Sequence, residues 1–193
     1  MMRRLCGQAA LLALAASVAP AMADVGSERG IKAAFVSKFI GYVEFAGRAA
    51  APAPLVIGVA GADDIASELA RIVGSRGING RPVSVRIISP ADRVDSVDVL
   101  FVGLGVSDRA ERLLRSAAAE GILTITEFDR ALHQGSVINF RIVDERVRFE
   151  VSLPSAEKAR LKLSSRLLSV AYYVDKGVRS PSSCCRTYRR WYR

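Results

Sequence analysis

Short apolar runs alternate with helix-like segments through the middle of the chain. Leu55 to Ala60 is a continuous apolar run after two prolines, which is typical of a strand buried on both faces. Apolar residues then recur at helical spacing from Ile65 to Val73. We expect Asp63 to cap this helix and Gly74 with Gly77 to end it.

The same unit is repeated farther along the chain. The apolar pattern predicts strands at Val83 to Ile88, Val97 to Val102 and Ile122 to Ile125. Between the last two strands a helix is predicted, with Ser107 or Asp108 as its cap. Its apolar stripe consists of Ala110, Leu113, Leu114, Ala117 and Ala118. Alternation of this kind predicts a doubly wound α/β fold with a mostly parallel sheet and helices on both faces.

The last third of the body changes to strict alternation. Two such runs flank Asp144 and Glu145, which form an expected two-residue turn. The apolar positions are Ile138, Phe140 and Ile142 before the turn and Val147, Phe149, Val151 and Leu153 after it. We therefore predict a C-terminal antiparallel hairpin with one apolar face and one charged face.

Two further helices are expected at the ends of the body. A short helical piece follows Pro154, and Ser164 or Ser165 is placed to cap a helix. The apolar side of that helix comprises Leu167, Leu168, Ala171 and Val174. Near the N-terminus, one helical face carries Phe35, Phe39, Tyr42 and Val43, while Lys32, Lys38 and Glu44 decorate the other sides. The aromatic stripe is expected to lie on the sheet.

The first 23 residues have the features of a cleavable secretory signal. Arg3 and Arg4 precede an apolar run, and Ala21 to Ala23 form a small-x-small cleavage site. The expected organisation is a signal peptide at 1–23, an α/β domain at 24–175 and a basic tail, expected to be disordered, at 176–193. We accordingly expect the mature protein to work outside the cytoplasm.

The charge of +9 belongs to the two ends of the chain. The body is close to neutral, and a solvated appendage is the favoured interpretation of the tail, so no nucleic-acid partner is expected. Apart from Cys6 in the signal, the cysteines Cys184 and Cys185 both lie in the tail. The body therefore offers no thiol for a disulfide, a nucleophile or a metal site.

Catalytic and cofactor motifs are incomplete. His133, in a polar turn, is the only histidine, which excludes a histidine-cluster metal site. Neither glycine group near a strand end completes a nucleotide fingerprint. Tight turns explain these glycines, yet Gly61, Gly105 and Ser107 remain an alternative small-ligand site beyond the strand ends. We predict no catalytic residues, no metal and no cofactor.

Several segments, in register, resemble one known family, the YfiR-like periplasmic proteins. The N-terminal helix has the family's pattern in Lys-Ala-x-Phe-x-x-Lys-Phe-x-x-Tyr-Val-Glu, here followed by Phe45 in place of the usual tryptophan. Further matches are Ile138-Asn139-Phe140, Val147 to Val151 and Leu163 to Leu168. The resemblance covers about Gly30 to Ala171. Family members carry cysteine pairs in this domain, and this chain does not.

The resemblance implies an α/β repressor that forms homodimers. Such proteins bind the periplasmic part of an inner-membrane diguanylate cyclase and keep cyclic-di-GMP synthesis and biofilm formation low, and an OmpA-like outer-membrane lipoprotein sequesters them. A repressor needs surface and no catalytic groups. Our candidates for partner contact are Tyr42, Glu44, Phe45, Leu163, Ser165, Arg166 and Leu168.

Overall fold

The computed structural model describes residues 23–45, 54–74, 77–78, 80–89 and 91–177, with side chains described from residue 28. The helices are α1 (Ala23–Ile40), α2 (Asp63–Val73), α3 (Ala110–Ala119), α4 (Leu153–Lys158) and α5 (Ser165–Val170). The strands are β1 (Val43–Phe45), β2 (Leu55–Ala60), β3 (Val83–Ile87), β4 (Val99–Val102), β5 (Leu123–Thr126), β6 (Ile138–Val143), β7 (Arg146–Ser152), β8 (Leu161–Leu163) and β9 (Tyr173–Asp175). All of the predicted signal peptide except Ala23, and almost all of the tail, lie outside the described residues.

The described strands form a seven-stranded sheet in the order β3-β2-β4-β5-β6-β7-β9 and a separate two-stranded sheet of β1 and β8. In the large sheet, the strands β3, β2, β4, β5 and β6 run parallel to one another, whereas β7 is antiparallel to β6. The prediction of a doubly wound, mostly parallel sheet with a C-terminal hairpin is confirmed. Within the described residues, no helix combines the length and apolarity that crossing a bilayer requires.

Helices cover both faces of the sheet, which explains the continuous apolar runs of the central strands. On one face, Val36 and Phe39 of α1 and Leu69 of α2 pack with alternate strand residues. On the other face, Leu114 of α3 packs with Leu100 and its neighbours. All four residues of β4 are buried, and so are all four of β5. Each strand of this kind is stabilised by removing apolar surface from water on both sides.

An aromatic cluster holds α1 against the hairpin. Phe39 is 2% exposed, and its ring centroid lies 4.7 Å from that of Phe149 and 5.8 Å from that of Phe140. Phe35, one turn earlier, lies 5.7 Å from Phe149 and is only partly buried. The expectation that this stripe lies on the sheet is confirmed for Phe35 and Phe39.

The expected extents of two helices were wrong. Helix α1 ends at Ile40, so Tyr42 and Val43 lie beyond it, and Val43 begins β1. Helix α5 ends at Val170, and Val174 belongs to β9, where it pairs with Val151 of β7. In both places, strand pairing replaces the last helical turn that the apolar spacing suggested.

Two expected helix caps were also wrong. The N-cap of α2 is Ala62, which makes no side-chain capping bond, and Asp63 is the first helical residue. A 3-10 turn, Leu104–Arg109, contains Ser107 and Asp108, so α3 starts later, after Arg109. The stripe of α3 is nevertheless buried as predicted. For α5 the cap is Ser164, whose hydroxyl accepts a hydrogen bond from the Leu167 N–H at 3.3 Å.

The hairpin is confirmed, with one change to each of its faces. Asp144 and Glu145 form the turn in left-handed conformations, with φ of 50° and 58°. On the expected polar face, Asn139 is 1% exposed, because the Thr126 hydroxyl and the loop before β6 cover it. On the expected apolar face, Ile142 is 52% exposed near the turn, where the hairpin extends past the helix that covers its base.

Lys32 was expected on an exposed side of α1 and is instead buried. Its Nζ lies 2.6 Å from Glu28 Oε1 and 2.7 Å from Glu127 Oε2, at the end of β5. The Lys32 and Glu127 side chains are each 10% exposed. Burial lowers the pKa of Lys32, but hydrogen bonds and charge attraction from the two glutamates raise it, and the net pKa is above 10.5. This cluster ties α1 to the carboxyl end of β5.

Candidate functional site

Strands β1 and β8 bring the two predicted contact segments together. They pair antiparallel, with Val43 opposite Leu163, Glu44 opposite Lys162 and Phe45 opposite Leu161. The Ser164 N–H also donates a hydrogen bond to the Tyr42 carbonyl at 2.9 Å. Because Ser164 caps α5, this bond joins the start of that helix to the start of β1. We call the resulting patch the ribbon surface: Tyr42, Glu44, Phe45, Lys162, Leu163, Ser165, Arg166 and Leu168.

Alternation along the two short strands sorts the ribbon surface into an inner and an outer side. On the inner side, Val43 is 8% exposed and Leu161 is 5% exposed. Phe45 and Leu163 share that side, and both are partly buried against the main core. On the outer side, Glu44 and Lys162 are exposed. Phe45 and Leu163 therefore support the ribbon from beneath, while Glu44 and Lys162 face solvent.

Helix α5 supplies the rest of the ribbon surface. Leu167 is 1% exposed and anchors the helix in the core, and Leu168 is partly buried beside it. Ser165 and Arg166, in the first turn, are exposed. Tyr42, just before β1, is 39% exposed. Many protein interfaces combine an aromatic side chain near the centre with a polar rim around it.

The charges of the ribbon surface are not neutralised within the domain. In the described part of the chain, Glu44, Lys162 and Arg166 take part in no ion pair, although Glu44 and Lys162 are cross-strand neighbours. These charged side chains can therefore pair with a partner without first breaking an ion pair inside the described part of the domain.

Lys162 is the residue of this surface that the sequence analysis missed. Strand β8 has only three residues and follows α4 directly, so no run long enough to predict a strand was present. The available signal was a matched apolar-charged-apolar triplet in Val43 to Phe45 and in Leu161 to Leu163. Opposite charges at the centres of two such triplets are typical of paired strands.

The alternative ligand site is occupied by the chain itself. Gly61 has φ of 67°, and a Cβ there would lie 2.9 Å from the Val106 nitrogen. The Gly105 N–H donates to the Gly61 carbonyl at 3.2 Å, and the Val106 N–H donates to the Gly103 carbonyl at 3.4 Å. Tight packing of two loops thus uses the backbone donors that an anion would need. Ligand binding at Gly61, Gly105 and Ser107 stays a prediction.

The described residues contain no group of histidine, cysteine or acidic side chains arranged to hold a metal ion. His133 is exposed in its turn, as expected. Several buried polar side chains bond to one another or to the backbone: the Thr126 hydroxyl lies 2.9 Å from the Ser136 hydroxyl, and the Thr124 hydroxyl accepts a hydrogen bond from the Val137 N–H at 2.9 Å. They serve the packing of the sheet.

The described chain is a mixed α/β domain with a mostly parallel seven-stranded sheet. The family model that matches the chain is the YfiR/HmsC-like family, over residues 29–172. The chain therefore belongs to the YfiR/HmsC-like family, whose members are periplasmic regulators of diguanylate cyclase signalling. This agrees with the resemblance on which the sequence analysis relied.

Comparison with solved structures supports the fold. The chain is similar to the crystal structure of a conserved domain protein from Vibrio cholerae O1 biovar El Tor strain N16961, with a TM-score of 0.53 and 11% sequence identity. The match covers 76% of this chain and 60% of that one, so this chain spans less than two thirds of its structural neighbour. No curated protein matches the sequence.

Proposed function

We propose that this protein is a periplasmic repressor that binds the periplasmic region of an inner-membrane diguanylate cyclase and lowers cyclic-di-GMP synthesis and biofilm formation. The observation that carries the proposal is the pairing of β1 with β8. It joins two segments, chosen separately from the sequence as contact sites, into one surface. Family membership supports the regulatory context.

The ribbon surface has the chemistry of a contact site. Tyr42 provides an exposed aromatic anchor, and the same surface carries Glu44, Lys162 and Arg166, which take part in no ion pair within the described residues. The buried Val43, Leu161 and Leu167 anchor the backbone that carries the outer side chains, so little backbone ordering is needed on binding. A regulator of this type is a non-catalytic protein, in keeping with the absence of complete catalytic motifs in the sequence.

The proposal includes export and two further partners. The signal peptide at 1–23 would direct the chain to the periplasm, where the cyclase segment is accessible. By resemblance to the family, the protein acts as a homodimer and is sequestered by an OmpA-like outer-membrane lipoprotein. Sequestration would release the cyclase, so that the state of the envelope sets the level of cyclic-di-GMP.

A binding measurement tests the proposed surface. The purified protein is titrated with the periplasmic segment of each membrane diguanylate cyclase of the native host, by calorimetry. We expect one segment to bind, and Tyr42→Ala and Arg166→Glu each to weaken that binding by at least about tenfold. The matched controls, Ile87→Ala and Arg112→Glu, alter exposed residues on β3 and α3 and should change affinity less than about twofold.

The same titration has two results that would refute the proposal. If the folded protein binds none of the segments, the repressor function loses its physical basis. If a segment binds and the ribbon variants bind as well as the controls do, the ribbon surface is not the contact site. Thermal unfolding of each variant separates loss of binding from loss of fold.

A further inference from the structure

A cavity of about 300 Å³ lies on the sheet face opposite α1. Arg141 and Glu150 line it, and they alternate along their strands with Phe140 and Phe149, which pack under α1. Tyr173 of β9 is the cross-strand partner of Glu150 and therefore points to the same side. The cavity is separate from the ribbon surface and from Gly61, Gly105 and Ser107.

The cavity has charges of both signs on different elements. Strands β7 and β9 contribute Glu150 and Asp175. The turn after β5 contributes Arg130 and His133, and β6 contributes Arg141. Tyr173 adds an aromatic ring on the acidic side. Its volume is at the lower end of the range of roughly 300–1,000 Å³ seen for small-molecule sites.

The opposite charges share this cavity without neutralising each other. Arg130 and Glu150 take part in no ion pair within the described residues, although Glu150 is half-buried. Arg141 pairs outward, at 2.9 Å, with Asp129, whose side chain is 87% exposed. Asp175 accepts a hydrogen bond from the Gly177 N–H through one oxygen, at 2.9 Å. The Glu150 carboxylate can therefore pair with a bound cation without breaking an ion pair inside the described residues.

Two other cavities lie in the groove along α3, and they contain both paired and unpaired charged side chains. There Arg115 pairs with Glu111 at 3.2 Å and Arg93 pairs with Asp95 at 3.0 Å, while Arg112 takes part in no ion pair within the described residues. Arg130 also adopts a left-handed backbone conformation, with φ of 63°, which is unfavourable for a residue with a Cβ. This conformation sets the direction of the turn in which Arg130 lies.

We propose that this cavity binds a small zwitterion, in which an ammonium group and an oxyanion lie a few ångströms apart. Arg130 and Arg141 bind the oxyanion, since guanidinium groups fit carboxylate and phosphate alike. Glu150 and Asp175 bind the ammonium group, and the Tyr173 ring adds a cation–π contact. A free amino acid and the phosphoethanolamine group of a lipid both have this chemistry.

Calorimetry on the purified protein with matched probes tests the proposal. The zwitterions are L-leucine and glycerophosphoethanolamine. Their halves are 4-methylpentanoate and isopentylamine for the first, and glycerol 3-phosphate and ethanolamine for the second. We expect at least one zwitterion to bind with a Kd below about 1 mM and at least tenfold more tightly than either of its halves. Which zwitterion binds identifies the source.

Variants assign the binding to this cavity. Glu150→Gln and Arg130→Gln should each weaken zwitterion binding by at least about tenfold, because each removes one of the two protein charges that bind one group of the ligand. The controls Glu120→Gln and Arg86→Gln remove the same charges from exposed positions elsewhere and should leave the Kd unchanged. The proposal is overturned if neither zwitterion binds, if a half binds as tightly as the whole, or if the controls weaken binding as much as the cavity variants.

Discussion

Glu44 and Lys162 stand directly opposite each other on β1 and β8, with their side chains on the solvent side of the ribbon. They come from the two ends of the domain, one following the first helix and the other following the hairpin. Their strands are packed on the core through Val43 and Leu161. The ribbon therefore makes one surface of two segments that are distant in the sequence.

The buried ion cluster of α1 should be important for stability. Replacing Lys32 with Met leaves the carboxylate of Glu127, 10% exposed, without its counter-charge. We expect Lys32→Met to lower the free energy of unfolding by about 3 kcal/mol, the size seen when one partner of a buried pair is removed. Urea unfolding measures the change. Lys38→Met, at an exposed position, is the control and should cost less than about 0.5 kcal/mol; equal effects would contradict the account.

The same cluster predicts a pH dependence at alkaline pH. The pKa of Lys32 is raised above 10.5 in the folded protein, so its contribution to stability is fully present below that pH. The contribution is lost as the pH rises through the folded-state pKa. The stability difference between the wild type and Lys32→Met should therefore be constant from pH 7 to about 10 and shrink above 10.5. A difference that grows with pH would show that Lys32 is not held charged by its glutamates.

The aromatic cluster should carry much of the packing between α1 and the hairpin. Phe39 is 2% exposed, and its ring contacts three other phenylalanine rings. Phe39→Ala is expected to cost about 4 kcal/mol of unfolding free energy, because it leaves a cavity among buried rings. Phe35→Ala, at a partly buried site, should cost clearly less. Chemical denaturation of both variants tests this order, and the reverse order would contradict the described packing.

Substitutions in the hairpin turn should make the protein more stable. Asp144 and Glu145 both have positive φ, which Asn and Gly adopt more readily than other residues. The double change Asp144→Asn with Glu145→Gly should raise the free energy of unfolding by about 0.5–1 kcal/mol. Glu145→Val, which puts a β-branched residue at the same angle, should lower it. If the Asn-Gly variant melts below the wild type, the turn is not of this type.

Much of the fold could be predicted from local patterns. Continuous apolar runs indicated the buried parallel strands, and strict alternation around Asp144 and Glu145 indicated the hairpin, since burial on two faces or on one leaves a direct mark in the sequence. Helix starts were harder to predict. The residues Asp63, Ser107 and Asp108 are good caps by type, but loop packing around Gly61 and Gly105 decides where α2 and α3 begin.

The candidate contact site was only partly predictable. Its residues were suggested by the family resemblance, but their meeting depends on the pairing of β1 with β8, for which the sequence offers only two three-residue apolar-charged-apolar triplets. The burial of Lys32 likewise could not be predicted from the local sequence. A lysine at that position of α1 is expected in solvent, and its burial is compensated by Glu28 on the same helix together with Glu127, which is distant in the sequence.

The central claim is that the protein represses a cyclase through the ribbon surface. Its most direct test is the cyclic-di-GMP level in the native host after deletion of the gene. The level should rise on deletion and return to normal when the wild type, or a form ending at Asp175, is restored. Restoration of Arg166→Glu should leave it high, and that of Arg112→Glu should lower it. An unchanged level on deletion, or full repression by a folded Arg166→Glu protein, would contradict the account.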